Sequence, residues 1–187
     1  SSDGKWITSS FYMNELPEYI QKINEANTAS SFLKGEWKVE NEFTHNLSLM
    51  YATSGGSAIK KTPFGNTILK DLAIEILQKE KLGQGETTDI LTISFSSTDY
   101  IGHQYGPHAP EIKDTYIKLD EDLAKLLKEI ENNVGFENAV VFLTADPWIA
   151  IPALVIVSRE LVISMLRQYV IEKKVKKDLS VSFIGKT

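Results

Sequence analysis

The most informative part of the sequence is Ser96-Ser97-Thr98-Asp99-Tyr100-Ile101-Gly102-His103. The run before it, Asp89-Ile90-Leu91-Thr92-Ile93-Ser94-Phe95, is apolar and rich in β-branched residues, which predicts a buried strand. Where a helical turn follows Asp99, a spacing of four residues places Asp99 and His103 on the same helix face. A carboxylate oxygen and an imidazole nitrogen on one face are suitable ligands for one divalent ion, and zinc is the natural candidate.

A second carboxylate follows a second apolar run, Val140-Val141-Phe142-Leu143-Thr144-Ala145-Asp146. Between the two runs, apolar residues recur at steps of three and four, which predicts an amphipathic helix from about Pro110 to Asn132. A strand, a helix and a strand in this order form a crossover unit in which the strands are parallel. Because ligands bind at the carboxyl ends of such strands, we expect Asp99 and Asp146 to share one metal centre.

The same part of the chain carries several further motifs. They are Thr98-Asp99-Tyr100-Ile101-Gly102-His103-Gln104-Tyr105-Gly106-Pro107, Asp114-Thr115-Tyr116, Leu119-Asp120, Lys61-Thr62-Pro63-Phe64-Gly65-Asn66-Thr67 and Trp6-Ile7-Thr8-Ser9-Ser10-Phe11-Tyr12-Met13. Together with Phe142-Leu143-Thr144-Ala145-Asp146, they resemble the alkaline phosphatase superfamily. The closest branch is the type I phosphodiesterase/nucleotide pyrophosphatase group with its bacterial phosphate-irrepressible alkaline phosphatases. The resemblance extends from about Lys5 to Asp146.

The resemblance implies an α/β fold, a three-layer sandwich with a mainly parallel central sheet. It implies two zinc ions, with Asp99 and His103 as ligands of one ion and Asp146 as a ligand of the other. It also implies a periplasmic or secreted enzyme that hydrolyses small phosphate esters through a Thr or Ser nucleophile, which lies far upstream in the family. In such a site, paired cations neutralise the charge on the transferring phosphoryl oxygens.

The chain also departs from the family pattern. The family has His directly after the second Asp, whereas Pro147 follows Asp146 here. The histidines are His45, His103 and His108, so a further family His has no candidate, and no segment resembles the family's nucleophile. We therefore expect part of a larger catalytic domain, incomplete and inactive alone. Two alternatives stay open: a catalytically silent structural or binding homologue, and an unrelated α/β domain whose motifs match by coincidence.

The candidate ligands have simpler interpretations as well. Asp99 stands where a helix N-cap is expected, and His103 can be an ordinary surface histidine. Asp146 before Pro147 is typical of a turn. Asn66, further upstream, is expected to be the N-cap of the helix that begins there.

Composition narrows the remaining possibilities. The 187 residues contain 20 Lys and Arg against 25 Asp and Glu, so the net charge is −5. This charge argues against nucleic acid or an anionic membrane as a partner. No segment is long enough to span a bilayer, no signal peptide is recognised, and without Cys a thiolate zinc site is excluded. We expect residues 1–187 to form a single α/β domain in which residues 28–60 are irregular and insertion-like. Nothing in the sequence indicates an oligomeric state.

Overall fold

The computed structural model describes residues 3–26, 28–39 and 43–144, all of which belong to one compact unit of the chain. Residues from 145 onward lie outside this part, so the single domain expected over residues 1–187 stays a prediction. The described elements are α1 (Glu18–Glu25), α2 (Thr28–Phe32), β1 (Glu36–Val39), β2 (Phe43–Asn46), α3 (Leu47–Ser54), a 3-10 turn (Gly55–Lys61), α4 (Phe64–Lys79), α5 (Ser97–Tyr105), α6 (Pro110–Asn133) and a second 3-10 turn (Phe136–Asn138).

Three helices form the frame that carries the candidate ligands. The helix predicted from about Pro110 to Asn132 is confirmed as α6, and the helical turn that the Asp99–His103 spacing requires is present in α5. Proline suits the start of α6, because the first N–H of a helix has no intrahelical acceptor. α6 packs against both α4 and α5, and Thr67 of α4 donates a 2.7 Å hydrogen bond to the buried carboxylate of Asp122 on α6. No helix in these described ranges is long and apolar enough to cross a membrane.

Residues 28–60 are more regular than the sequence pattern predicts. They contain α2, both strands, α3 and the first 3-10 turn. The strands pair antiparallel with Trp37 opposite His45, and β1 alternates exposed and buried residues so that Trp37 and Val39 enter the core. Strands of four residues contain too few positions to establish a period of two, which is why the pattern does not reveal them.

The two strands predicted before Asp99 and Asp146 form no ladder with any strand in the described part of the chain. Their apolar side chains are exposed, Ile90 by 87% and Phe142 by 89%. Backbone N–H and C=O groups of a strand require hydrogen-bond partners from a neighbouring strand. The parallel central sheet therefore needs strands beyond those described, and it stays a prediction.

The hydrophobic core joins β1 to the helices around it. Ile101 of α5 is fully buried in this core, so the helix is anchored through its apolar face. The buried core members are Ala29, Leu33, Trp37, Val39, Leu47, Ala58, Ile59, Ile68, Ile101 and Ile112.

α4 and α5 meet at their amino-terminal ends. Gly65, the second residue of α4, comes so close that a Cβ at this position would lie 2.2 Å from the Oγ atom of Ser97 and 2.7 Å from the carbonyl oxygen of Ile59. Only a residue without a side chain leaves room for this approach. Gly65 therefore sets the distance between the start of α4 and the start of α5.

We expect Gly65→Ala to lower the free energy of unfolding by about 1–3 kcal/mol, because α5 must move away from the new methyl group. The matched control is Gly85→Ala, since a Cβ there would have only the Thr87 nitrogen nearby, at 4.0 Å. Its free energy of unfolding should stay unchanged or rise by about 0.4–1 kcal/mol. Urea unfolding followed by circular dichroism measures both variants, and equal stability of the two would contradict the close contact.

α1 is tied to the end of α4 by Tyr19, whose hydroxyl donates a 2.8 Å hydrogen bond to the Oε1 atom of Glu80. Burial, this hydrogen bond and the negative charges of Glu80 and Glu75 raise the pKa of Tyr19 from 10.0 to about 12. The Tyr19 phenol thus keeps its proton to a higher pH in the folded chain than in the unfolded chain.

Stability should therefore decrease at alkaline pH. The contribution of Tyr19 is complete below pH 10.0, where the unfolded chain also holds the proton, and it is lost as the pH rises to about 12. Tyr19→Phe should remove this part of the pH dependence in urea unfolding, whereas Tyr12→Phe, at an exposed position, should retain it. A Tyr19→Phe profile identical to that of the unsubstituted chain would show that the phenol makes no such contribution.

Candidate metal centre

α5 presents the two candidate ligands on one exposed face. Asp99 lies in its first turn and His103 in its last turn. The Oδ1 atom of Asp99 and the Nε2 atom of His103 are 3.3 Å apart, and the side chains are exposed by 54% and 83%. The spacing of four residues therefore brings the two groups together, while Ile101 between them faces the core. Metal ligation by these residues stays a prediction.

The pair contributes little as a structural ion pair. Exposed pairs at this spacing on a helix stabilise it by about 0.3–0.5 kcal/mol, because water screens the charges and two side chains lose their freedom. The helix dipole favours a carboxylate in the first turn and a protonated imidazole in the last turn, again by a small amount. The oxygen and nitrogen donors, by contrast, are ligand types that zinc prefers.

The interpretation of Asp99 as a helix N-cap is wrong. The N-cap of α5 is Ser96, which makes no side-chain capping bond, and Asp99 is the third residue of the helix. The backbone N–H of Ser97 instead donates a 3.2 Å hydrogen bond to the Oδ1 atom of Asn66 on α4. The interpretation of Asn66 as the cap of its own helix is wrong as well, because the N-cap of α4 is Pro63. Sequence reasoning missed this contact, which links residues 31 positions apart.

An aromatic cluster holds the other end of α5. The ring of Tyr105, the last residue of α5, lies 6.3 Å from the ring of Trp37 and 5.1 Å from that of His45, measured between centroids. The Nε2 atom of His45 is 3.0 Å from the Oε1 atom of Glu111, and Trp37 donates a 2.8 Å hydrogen bond to Asp114. Both carboxylates belong to α6, so the cluster joins the strand pair, α5 and α6.

The same cluster keeps Tyr105 neutral. Burial and the negative charge of Glu111 raise the pKa of Tyr105, against a smaller opposite effect of a hydrogen bond with Gln104. A phenol that is harder to ionise is a poor general base. Tyr105 therefore serves packing against Trp37 and His45.

The described residues supply two candidate ligands but not a complete set. Across residues 3–26, 28–39 and 43–144, no group of three or more His, Asp or Glu side chains is arranged to hold a metal ion. His45 is occupied by its contact with Glu111, and His108 is exposed in the loop between α5 and α6. Asp146 lies outside the described residues, so its place in the site stays a prediction.

Known proteins match this part of the chain. A model of the type I phosphodiesterase / nucleotide pyrophosphatase family matches residues 4–147. A protein named calcium-transporting ATPase from Myroides odoratus is 35% identical over 170 residues, with 76% of this chain and 31% of that protein covered. Alkaline phosphatase PafA from Elizabethkingia meningoseptica is 32% identical over 169 residues, with 76% and 31% covered. Alkaline phosphatase PhoV from Synechococcus elongatus is 32% identical over 168 residues, with 76% and 30% covered.

A solved structure is similar as well. The crystal structure of wild-type alkaline phosphatase PafA matches with a TM-score of 0.67 and 30% identity, over 72% of this chain and 31% of that chain. The chain thus spans about three-tenths of the length of these relatives. The likeness to PafA shows an alkaline-phosphatase-like fold, and the family match contains the whole of α5 with Asp99 and His103. The chain belongs to the type I phosphodiesterase / nucleotide pyrophosphatase family, within the alkaline phosphatase superfamily.

Proposed function

We propose that this chain carries part of the metal centre of a phosphoric ester hydrolase, an alkaline phosphatase or phosphodiesterase that acts on small phosphate esters. The observation that carries the proposal is the pair of Asp99 and His103, 3.3 Å apart on the exposed face of α5. The pair lies within the range that matches the family. A structural ion pair is a weak alternative explanation, because its contribution to stability is small.

The donor set fits zinc. Asp99 would provide a carboxylate oxygen and His103 an imidazole nitrogen to one ion, and Asp146 would provide a carboxylate oxygen to a second ion. Bound zinc supplies a Lewis acid that polarises phosphoryl oxygens and lowers the pKa of bound water or hydroxyl groups. An imidazole binds a metal ion through a ring nitrogen that carries no proton.

The residues of this chain would act by binding and orientation. Both ligands of the first ion stand on one helix, whose buried Ile101 and bonded Ser97 limit its movement. No nucleophile is assigned to these 187 residues. The family resemblance implies a Thr or Ser from elsewhere in the whole protein, which would attack phosphorus and displace the alcohol of the ester. Water would then hydrolyse the phosphorylated residue, releasing phosphate and restoring the free hydroxyl.

We also propose that segments 89–95 and 140–144 are strands of a mainly parallel central sheet in a three-layer sandwich. The exposure of Ile90 and Phe142 supports this, because a sheet covered on both faces would bury these side chains. The order of the two segments with α5 and α6 between them is that of a crossover connection. In that sheet Asp99 and Asp146 would leave the strands at the same edge.

The proposal also includes the location of the enzyme and the class of its substrate. A periplasmic or secreted location rests on the family resemblance. The net charge of −5 speaks against nucleic acid as the substrate, because phosphate backbones are bound by basic surfaces. Small phosphate esters are the substrate class that the family resemblance implies for this site.

A catalytically silent homologue is the second candidate. The observation in its favour is Pro147, which stands directly after Asp146 where the resemblance implies a histidine ligand. A proline has no side-chain donor for a metal. The two candidates differ in metal content, because the silent homologue has no need to bind zinc at α5.

We expect His103→Ala to weaken zinc binding by roughly tenfold or more, since it removes a direct ligand. His108→Ala is the matched control, because His108 is exposed and lies outside the pair; its zinc affinity should equal that of the unsubstituted chain. Isothermal titration of the full 187-residue chain with zinc measures all three proteins. The same affinity in all three would reject the ligand assignment, and so would the absence of zinc uptake by the unsubstituted chain.

A further inference from the structure

We propose that Asn66 is a positioning residue that holds the start of α5 and thereby the orientation of Asp99 and His103. The first half of this inference rests on the contact between Asn66 and Ser97. The second half, that the orientation serves metal binding, rests on the proposed function.

The contact replaces a missing helix cap. The first N–H groups of a helix have no intrahelical acceptor, and a side-chain oxygen usually supplies one. Ser96, the N-cap residue of α5, makes no such bond. The side-chain Oδ1 atom of Asn66 accepts a hydrogen bond from the N–H of Ser97 instead, at 3.2 Å. The acceptor for α5 therefore comes from a different helix, which fixes α5 relative to α4.

The contact is buried on both sides. Asn66 is 1% exposed and Ser97 is 3% exposed, so water cannot replace the bond if it is lost. Within the described residues the Nδ2 atom of Asn66 has no hydrogen-bond partner. A buried amide with an unsatisfied donor is unfavourable for packing alone. An apolar residue would avoid that cost but would leave the Ser97 N–H without its acceptor.

A second constraint acts at the same point. Gly65 precedes Asn66 and places its Cα so near to α5 that a Cβ would lie 2.2 Å from the Oγ atom of Ser97. One residue thus restrains Ser97 by a hydrogen bond and its neighbour restrains it by close approach. Asp99 follows Ser97 by two positions in the same helical turn, so a rotation of the helix start would redirect its carboxylate first.

The test uses three variants of the 187-residue chain. Asn66→Ala removes the acceptor. Asn66→Asp keeps an acceptor oxygen, and its carboxylate would lie at the amino-terminal ends of two helices, where negative charge is stabilised. Asn24→Ala is the matched control, because Asn24 also binds backbone through its amide, at Trp6, but belongs to α1. Hydrogen exchange measured by NMR reports the Ser97 amide, zinc titration reports the site, and urea unfolding reports overall stability.

We expect Asn66→Ala to speed exchange of the Ser97 amide by about five- to tenfold and to weaken zinc binding by roughly tenfold. In Asn66→Asp, the exchange rate of the Ser97 amide and the zinc affinity should equal those of the unsubstituted chain. Asn24→Ala should change overall stability but leave the Ser97 amide and the zinc affinity unaltered. An unchanged exchange rate of the Ser97 amide in Asn66→Ala would overturn the positioning role. So would an equal loss of zinc affinity in Asn24→Ala and Asn66→Ala when the two variants have the same free energy of unfolding.

Two further outcomes remain decisive. If Asn66→Ala does not fold, exchange in the unsubstituted chain is the test: a protected Ser97 amide supports the bond, and exchange at the rate of a free amide overturns it. If the unsubstituted chain binds no zinc, the proposed function fails, while the Ser97 amide still shows whether Asn66 holds α5.

Discussion

The contact between the amino-terminal ends of α4 and α5 is the constraint on which the candidate site depends. Gly65 allows the two backbones to approach, and Asn66 gives the first N–H of α5 a buried acceptor. Asp99 lies two residues after Ser97, whose N–H makes this bond, and it belongs to the same helix as His103. The direction of both candidate ligands is therefore set by a glycine and an asparagine that would never touch the metal.

The opposite end of α5 is restrained by different chemistry. Tyr105 packs against the rings of Trp37 and His45, and the carboxylates of Glu111 and Asp114 bind those two rings from α6. The strand pair, which has no part in the proposed chemistry, thus acts as a support for the helix that carries the ligands. With Ile101 buried between these two ends, α5 is anchored along its length and exposes Asp99 and His103 on its outer face.

The sequence predicts features that depend on one continuous segment, and it does not predict contacts between residues far apart in the chain. α6 was predictable because a long apolar period is a property of a single segment, whereas the helical turn around Asp99 was only a condition of the proposed ligand pair. The strand pair was missed because four residues are too few to show alternation. The roles of Asn66 and His45 were missed because their partners lie 31 and 66 residues away. The central sheet could not be tested, since segments 89–95 and 140–144 have no partner strands in the described part of the chain.

Family membership adds what local pattern cannot supply, because a carboxylate and an imidazole four residues apart are common on helices. In the proposed site, α5 is held by Gly65 and Asn66 and would present Asp99 and His103 to one zinc ion. Anomalous diffraction at the zinc edge, from crystals of the 187-residue chain soaked with zinc, tests it most directly. We expect a zinc peak bound by Asp99 and His103, with Ser97 still in contact with Gly65. A peak elsewhere with none at α5, or a helix start displaced from Gly65, would contradict it.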